Sequence, residues 1–302
     1  MTAPMPLTVT TPEDLLACVP ICLGFVPEAS VVMLSMPAGA GPHARVDLPP
    51  GADVAELAEC LVRPAVQHRV GGVVLCLYTD LPDAPAVADQ LLESFTTGGV
   101  EVIQLIAADG RCWLPMLPQQ RGGPPREYDV HSHPLLVRAV VEGRVVLSSR
   151  RELEASVQSD PDAVRQVAEA LQRVAPPDPG WVRETLTRHV RAGTSPGPAE
   201  LARLVCSVLD PACRDAAWGW VRRDEARRHA ELWLAVVRAT PAPFLAAPAA
   251  VLALLAWLSG DGALAWCALD RARETGVRCT LADLVEDLLN GAVSPMQWRP
   301  VV

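Results

Sequence analysis

Strand signals alternate with helix signals in the first half of the chain and then disappear. Two unbroken apolar runs, Val31–Leu34 and Gly72–Tyr78, are typical of inner strands that are buried on both faces. The remaining strand patterns are Ala44–Leu48 and Val100–Ala107, and the amphipathic helix patterns between strands lie at 53–67 and 84–95. This order predicts an α/β N-terminal half with a mostly parallel sheet and helices on its faces.

A turn signal in the sequence adds an antiparallel strand pair to the predicted sheet. Asp109-Gly110 follows the last long strand pattern, and Arg111–Met116 has the composition of a returning strand. An Asp-Gly pair between two strand patterns favours a tight hairpin. The sequence therefore predicts an antiparallel hairpin at one edge of the sheet.

The second half carries helix signals only. Asp160-Pro161, Gly197-Pro198 and Asp210-Pro211 each offer an N-cap position followed by Pro at the first helical position. A Pro-rich stretch at 176–180 is the best linker. We therefore expect an α/β domain at 1–176 and an all-α helical bundle at 177–302.

The most apolar stretch, Phe244–Leu258, is interpreted as a buried helix. Pro248 is expected to begin the helix and Ser259-Gly260 to end it. The eleven residues between span roughly 16 Å at 1.5 Å per residue, about half of a bilayer's apolar core. No membrane partner is expected.

Composition excludes several kinds of chemistry. The chain has no Lys, which rules out Schiff-base and P-loop lysines. Its net charge of −9 argues against nucleic acid as a partner. Residues 1–14 contain no Lys or Arg, unlike a secretory signal, and the nine Cys lie mostly in apolar runs. These features predict a cytoplasmic protein with reduced thiols, and the absence of familiar nucleotide-binding and metalloprotease motifs predicts no cofactor.

Three stretches together resemble a family of actinobacterial proteins, domain of unknown function 4192. They are Pro12–Leu34, Pro134–Ala155 and Pro248–Ala272, and the tail Ser294–Arg299 is also similar. The resemblance implies a cytoplasmic protein but no activity. This chain departs from the family pattern after Asp109-Gly110-Arg111, where Cys112 replaces an aromatic residue and a Cys-Cys-Pro tract is missing.

A ligand site is predicted at the carboxyl edge of the sheet. Ligands of open α/β sheets bind beyond the carboxyl ends of strands, where Thr79 and Asp80 follow one apolar run and Ser35 follows the other. Gly24 and Ser30, in the loop that resembles the family, are expected nearby. The alternative interpretation is that Asp80 only caps the turn into the next helix.

Two further clusters contain side chains that could bind a metal ion. His131 and His133 are two residues apart, so on an extended segment both imidazoles could face one metal ion. The alternative is a polar loop that leads into a helix at Pro134. Cys18 and Cys22 share a helix face and could bind metal, although core packing explains them as well.

The leading functional hypothesis is a non-catalytic interaction or regulatory protein. Seven of the eight Trp lie in the helical half, where they could form a surface for another protein or for self-association. They could equally fill gaps between Ala-rich helices. The competing hypothesis is a small-molecule-binding protein or an enzyme that acts at the sheet edge near Asp80.

Overall fold

The computed structural model describes residues 9–37, 41–142 and 144–301. The chain divides into two compact units, Met1–Arg150 and Arg151–Val302. The division lies before the predicted one at 176/177. The reason is that the helix at Pro161–Ala170 packs on helices at Pro198–Ser207 and Ala226–Ala239 of the second unit.

The first unit contains six strands and four complete helices in its described part. The strands are β1 Ser30–Met36, β2 Ala44–Asp47, β3 Gly72–Tyr78, β4 Glu101–Ala108, β5 Cys112–Pro115 and β6 Arg126–Glu127. The helices are α1 Pro12–Leu23, α2 Val54–Gln67, α3 Ala84–Thr97 and α4 Pro134–Val141.

The six strands form one mixed sheet in the order β2-β1-β3-β4-β5-β6. The prediction of a mostly parallel sheet was wrong, since among the described strands only β3 and β4 pair in parallel. β2, β3 and β4 do run in one direction, as the intervening helices require. However, β1 inserts between β2 and β3 and runs against both. The hairpin at Asp109-Gly110 joins β4 to β5 as expected, but β6 adds beyond it and forms the edge.

Alternate side chains of the strands enter two separate cores. Val31, Leu75 and Leu105 point to one face, which α2 and α3 cover. Val32, Cys76 and Ile106 point to the other face, where Leu16 and Val19 of α1 pack against them. Both faces of β1 and β3 are therefore buried, which explains why these strands lack the polar alternation of half-exposed strands.

Capping interactions define both ends of α1. Thr11 caps its start, and the Asp14 carboxylate accepts the backbone N–H of Thr11, which completes a capping box. Gly24 ends the helix with φ of +79°, where its N–H donates to the Pro20 carbonyl. A residue with a Cβ would be strained in this left-handed conformation. The helix is thereby fixed over the sheet.

The second unit is entirely helical in its described residues. Its helices are α5 Arg150–Ser156, which crosses the division, α6 Pro161–Ala170, α7 Pro179–Ala192, α8 Pro198–Ser207, α9 Pro211–Trp218, α10 Ala226–Ala239, α11 Ala246–Ser259, α12 Gly262–Arg273 and α13 Thr280–Asn290. α11 lies at the centre, packed by α10, α12 and α13. It begins two residues before the predicted start at Pro248. Pro248 fits inside the first turn, because backbone N–H groups there have no partner within the helix and the missing N–H of Pro costs no hydrogen bond. Across the described ranges, no helix combines the length and apolar character needed to cross a bilayer.

The Trp residues of the second unit pack against other side chains and are not exposed on the surface. Each is buried or half-buried, and Trp233 is completely buried in the core. Trp218 and Trp257 both lie against the Trp298 ring, with centroids 5.7 and 6.3 Å away. This arrangement fits the gap-filling interpretation and gives no support to a Trp-rich partner surface.

We expect the unfolding free energy to fall in mild acid because of His229. This imidazole is 1% exposed, and its Nδ1 has no hydrogen-bond partner among the described residues. Burial lowers its pKa from 6.5 to about 4. Between those values the unfolded chain binds a proton that the folded chain does not, so stability decreases as the pH falls. From pH 7 to pH 5 the loss from this group is about 2 kcal/mol.

Urea titrations of wild type and His229→Phe at both pH values check this expectation. Phe keeps a ring against Trp220, whose centroid lies 5.0 Å from that of the imidazole. The variant should lose about 2 kcal/mol less than wild type on acidification. Equal losses in the two proteins would show that His229 does not contribute.

Candidate ligand-binding site

A small cavity of about 60 Å³ lies in the first unit at the carboxyl end of β3. Its walls come from α1, the segment before β1, the β4–β5 turn and the segment between β6 and α4. The lining residues are Leu16, Pro20, Val26, Pro27, Tyr78, Gly110, Tyr128, Asp129, Val130 and His131. α1 and the segment before β1 therefore contribute only apolar residues, whereas Tyr78, Tyr128, Asp129 and His131 are polar.

Tyr78, the last residue of β3, lines this cavity and carries a buried, unpaired hydroxyl. Its side chain is 5% exposed, and the hydroxyl has no hydrogen-bond partner in the described part of the chain. Burial raises the pKa of Tyr78 well above its ordinary value, with a further contribution from Cys76. The hydroxyl therefore stays protonated at neutral pH and is available as a donor.

Ser30 adds a second unpaired hydroxyl beside Tyr78. The two residues are register partners in the antiparallel β1–β3 ladder, so their side chains lie on the same face of the sheet. Ser30 is fully buried, and its Oγ also has no partner among the described residues. Buried hydroxyls without partners on two adjacent residues are unusual, because buried polar groups are nearly always hydrogen-bonded.

Tyr128 closes the cavity from the side of the β4–β5 turn. Its phenol oxygen interacts with the Gly110 backbone, and its backbone N–H donates to the Arg111 carbonyl at 2.9 Å. Burial is the main reason that the pKa of Tyr128 is raised to about 12, and the Asp109 carboxylate adds to it. Gly110 has φ of +92°, which a residue with a Cβ rarely adopts. This turn therefore fixes the Tyr128 phenol.

Asp129 and His131 form the polar rim. The Asp129 Oδ1 accepts the backbone N–H of His131 at 2.9 Å. Hydrogen bonds from Ser132 and from the His131 backbone lower the pKa of Asp129, which keeps the carboxylate ionised. On the same side, backbone N–H groups of Cys112 and Arg111 lower the pKa of Asp109. The Asp129 carboxylate therefore places negative charge at the rim of the cavity.

The structure separates the five residues predicted for the ligand site. Thr79, Asp80 and Ser30 lie at the same edge of the sheet, because β1 begins where β3 ends. Ser35 lies at the other end of these strands, where its register partner is Val73. Its hydroxyl donates to the Pro42 carbonyl at 2.6 Å. Grouping Ser35 with Asp80 was therefore wrong, and the cause is the antiparallel direction of β1.

The other predicted residues have different surroundings. Asp80 is exposed and is not among the lining residues, and its carbonyl accepts the Asp83 N–H in the turn before α3. Thr79 donates its N–H to the Ala108 carbonyl. Gly24 ends α1, and its carbonyl accepts the Leu147 N–H at 2.8 Å. These contacts give Gly24 and Thr79 structural roles next to the cavity.

The two histidines predicted as metal ligands have separate partners. His133 caps α4, where its Nδ1 accepts the Leu135 N–H, and its Nε2 lies 3.4 Å from the Asp14 Oδ1. His131 is exposed at the cavity rim. Among the residues that the structure describes, no group of three or more His, Cys, Asp or Glu side chains is arranged to hold a metal ion. Metal binding by His131 and His133 stays a prediction.

Sequence reasoning missed both tyrosines. Tyr78 ends an apolar strand pattern, so it was assigned to the strand core, and no prediction was made for Tyr128. One signal was available: the chain has only two Tyr, and both line this cavity. Their spatial pairing depends on β5 and β6, whose short patterns do not reveal which residues they bring next to β3.

Comparisons with known proteins identify a family but no characterised relative. The family described as Domain of unknown function (DUF4192) matches residues 12–296, nearly the whole chain. Neither the curated proteins nor the solved structures include a match. The matched range includes every residue that lines the cavity. The chain therefore belongs to the DUF4192 family.

Proposed function

We propose that the first unit binds a small, neutral, polar molecule in the cavity beside Tyr78. The observation that carries this proposal is the buried, unpartnered hydroxyl of Tyr78, a residue that lines the cavity. Ser30, its register partner on β1, has a second unpartnered hydroxyl. A buried polar group without a partner costs about 1–3 kcal/mol. A ligand oxygen that accepts the Tyr78 hydroxyl hydrogen would remove this cost.

The size and charge of the cavity define the class of ligand. About 60 Å³ holds a group of a few atoms, whereas sites for drug-sized ligands are usually at least 300 Å³. The ionised Asp129 carboxylate at the rim disfavours an anionic ligand. We therefore expect a carbonyl or hydroxyl group inside the cavity and apolar contact with Leu16 and Pro20.

A thermal-shift screen of small metabolites with the full chain tests this function. We expect a neutral polar compound that stabilises wild type and whose affinity falls about tenfold in Tyr78→Phe, since one hydrogen bond contributes up to about 1.5 kcal/mol. Ser35→Ala is the matched control, because it removes a hydroxyl at the opposite sheet edge. A compound that binds both variants as well as wild type does not use the proposed cavity.

A second candidate function is self-association through α4. Val137, Val140 and Val141 share one face of this helix and are 48%, 55% and 81% exposed. The Arg138–Glu142 ion pair, with Nε and Oε1 2.9 Å apart, adds both signs of charge on the same helix. A two-fold contact between copies would pair like surfaces, so Arg138 could meet Glu142 of the second copy. A partner surface at this place belongs to the first unit, not to the helical half.

Sedimentation velocity over a concentration series tests self-association. We expect wild type to form a dimer at high concentration and Val141→Asp to weaken it at least tenfold, because the new carboxylate would be desolvated in the contact. Val66→Asp on α2 is the control, since Val66 is 49% exposed and lies elsewhere. A monomeric wild type at all concentrations contradicts this candidate.

A further inference from the structure

α1 presents two thiols side by side. Cys18 and Cys22 are four residues apart on the helix, and their sulfur atoms lie 3.8 Å from each other. Both residues are half-buried. We propose that Cys18 and Cys22 together bind one thiophilic cation of the Cu(I) class.

The helix geometry disfavours the other reaction of paired thiols, a disulfide. Side chains four apart on a helix have Cβ atoms about 5–6 Å apart, whereas a disulfide needs about 3.5–4.5 Å. α1 is capped at Thr11 and Gly24 and is packed on the sheet, so bending it would disrupt both. A bridging ion lengthens the link between the sulfurs and leaves the helix intact.

The observed sulfur–sulfur distance suits such an ion. With metal–sulfur bonds of about 2.3 Å, two sulfurs on one ion lie about 3.8 Å apart at a tetrahedral angle and about 4.6 Å apart in a straight line. Small side-chain rotations cover that range from the present 3.8 Å. Soft thiolate ligands select Cu(I), which two thiolates can hold without further protein ligands.

The surroundings provide compensation for charge. Binding would release two thiol protons to solvent and leave two thiolates around a monovalent cation, with a net charge of −1. The Arg144 guanidinium acts electrostatically on both sulfurs and would offset that charge. Neither cysteine lines the Tyr78 cavity, so this inference does not depend on the proposed ligand.

Anaerobic competition with a chromogenic Cu(I) chelator tests the site on the full, reduced chain. We expect wild type to remove one equivalent of Cu(I) from the chelator and Cys18→Ser and Cys22→Ser each to bind at least tenfold more weakly. Cys60→Ser is the matched control, because Cys60 is exposed on α2 and should not matter. Equal competition by wild type and the two α1 variants would overturn the proposal, as would an equal loss in Cys60→Ser.

X-ray absorption of the copper-loaded wild type gives a second readout that does not depend on variants folding. Two sulfur atoms bound to copper support the site. A copper ion surrounded mainly by nitrogen or oxygen would contradict it, whatever the variants show.

Discussion

Trp233→Ala should lower the unfolding free energy of the second unit by about 3–5 kcal/mol. Trp233 lies on α10, is fully buried and is among the largest buried side chains of the chain. α10 packs directly on the central helix α11, so a cavity at this position weakens the middle of the unit. Urea unfolding followed by far-ultraviolet circular dichroism measures the change.

Trp233→Phe separates the contribution of ring packing to stability from the contribution of the indole N–H group. The Trp233 Nε1 has no hydrogen-bond partner among the described residues, so Phe removes an unpaired polar atom while it keeps most of the apolar volume. We expect it to cost less than half as much as Ala. If Phe and Ala were equally destabilising, a hydrogen bond rather than packing would be the main contribution of Trp233.

Tyr78→Phe should instead be stabilising and raise the unfolding free energy of the ligand-free first unit by up to about 3 kcal/mol. The substitution removes a hydroxyl that is buried without a partner, and such a group costs about 1–3 kcal/mol. Chemical denaturation of the ligand-free chain measures this gain. A residue that lowers stability without a ligand and raises affinity with one is typical of a binding site.

Tyr128→Phe is the matched control for this gain. The Tyr128 phenol oxygen interacts with the Gly110 backbone, so its removal should destabilise the unit slightly, by about 1 kcal/mol. Ser30→Ala should behave like Tyr78→Phe, because its hydroxyl is also unpartnered. Loss of stability in both Tyr78→Phe and Ser30→Ala would show that these hydroxyls already have partners and that no ligand is needed.

The sequence predicted most elements but not the direction of one strand. Val31–Leu34 and Gly72–Tyr78 are adjacent inner strands, as their apolar runs indicated. β2, β3 and β4 run in one direction, as strands separated by single helices do. However, local patterns do not show where a strand inserts. Only seven residues of sequence separate β1 from β2, whereas a crossover between parallel strands needs about a dozen or more, so an antiparallel pair is favoured.

The direction of β1 also explains why the residues predicted for the ligand site do not all lie at one end of the sheet. Because β1 is reversed, Ser30 rather than Ser35 lies at the carboxyl end of β3. Tyr78 and Tyr128 come together through long-range pairing, which has no local signal. The end of β3 could therefore be located from the sequence, whereas none of the five residues predicted for the ligand site lines the candidate cavity there.

Tyrosine-selective NMR tests the central claim most directly, because the chain contains only Tyr78 and Tyr128 and both line the cavity. Labelling the ring carbon that carries the hydroxyl gives two signals, which Tyr128→Phe assigns. A stabilising metabolite should shift both signals, with the larger change at Tyr78 as its hydroxyl gains an acceptor. A compound that stabilises the chain while both tyrosine signals stay unchanged would contradict binding at this cavity.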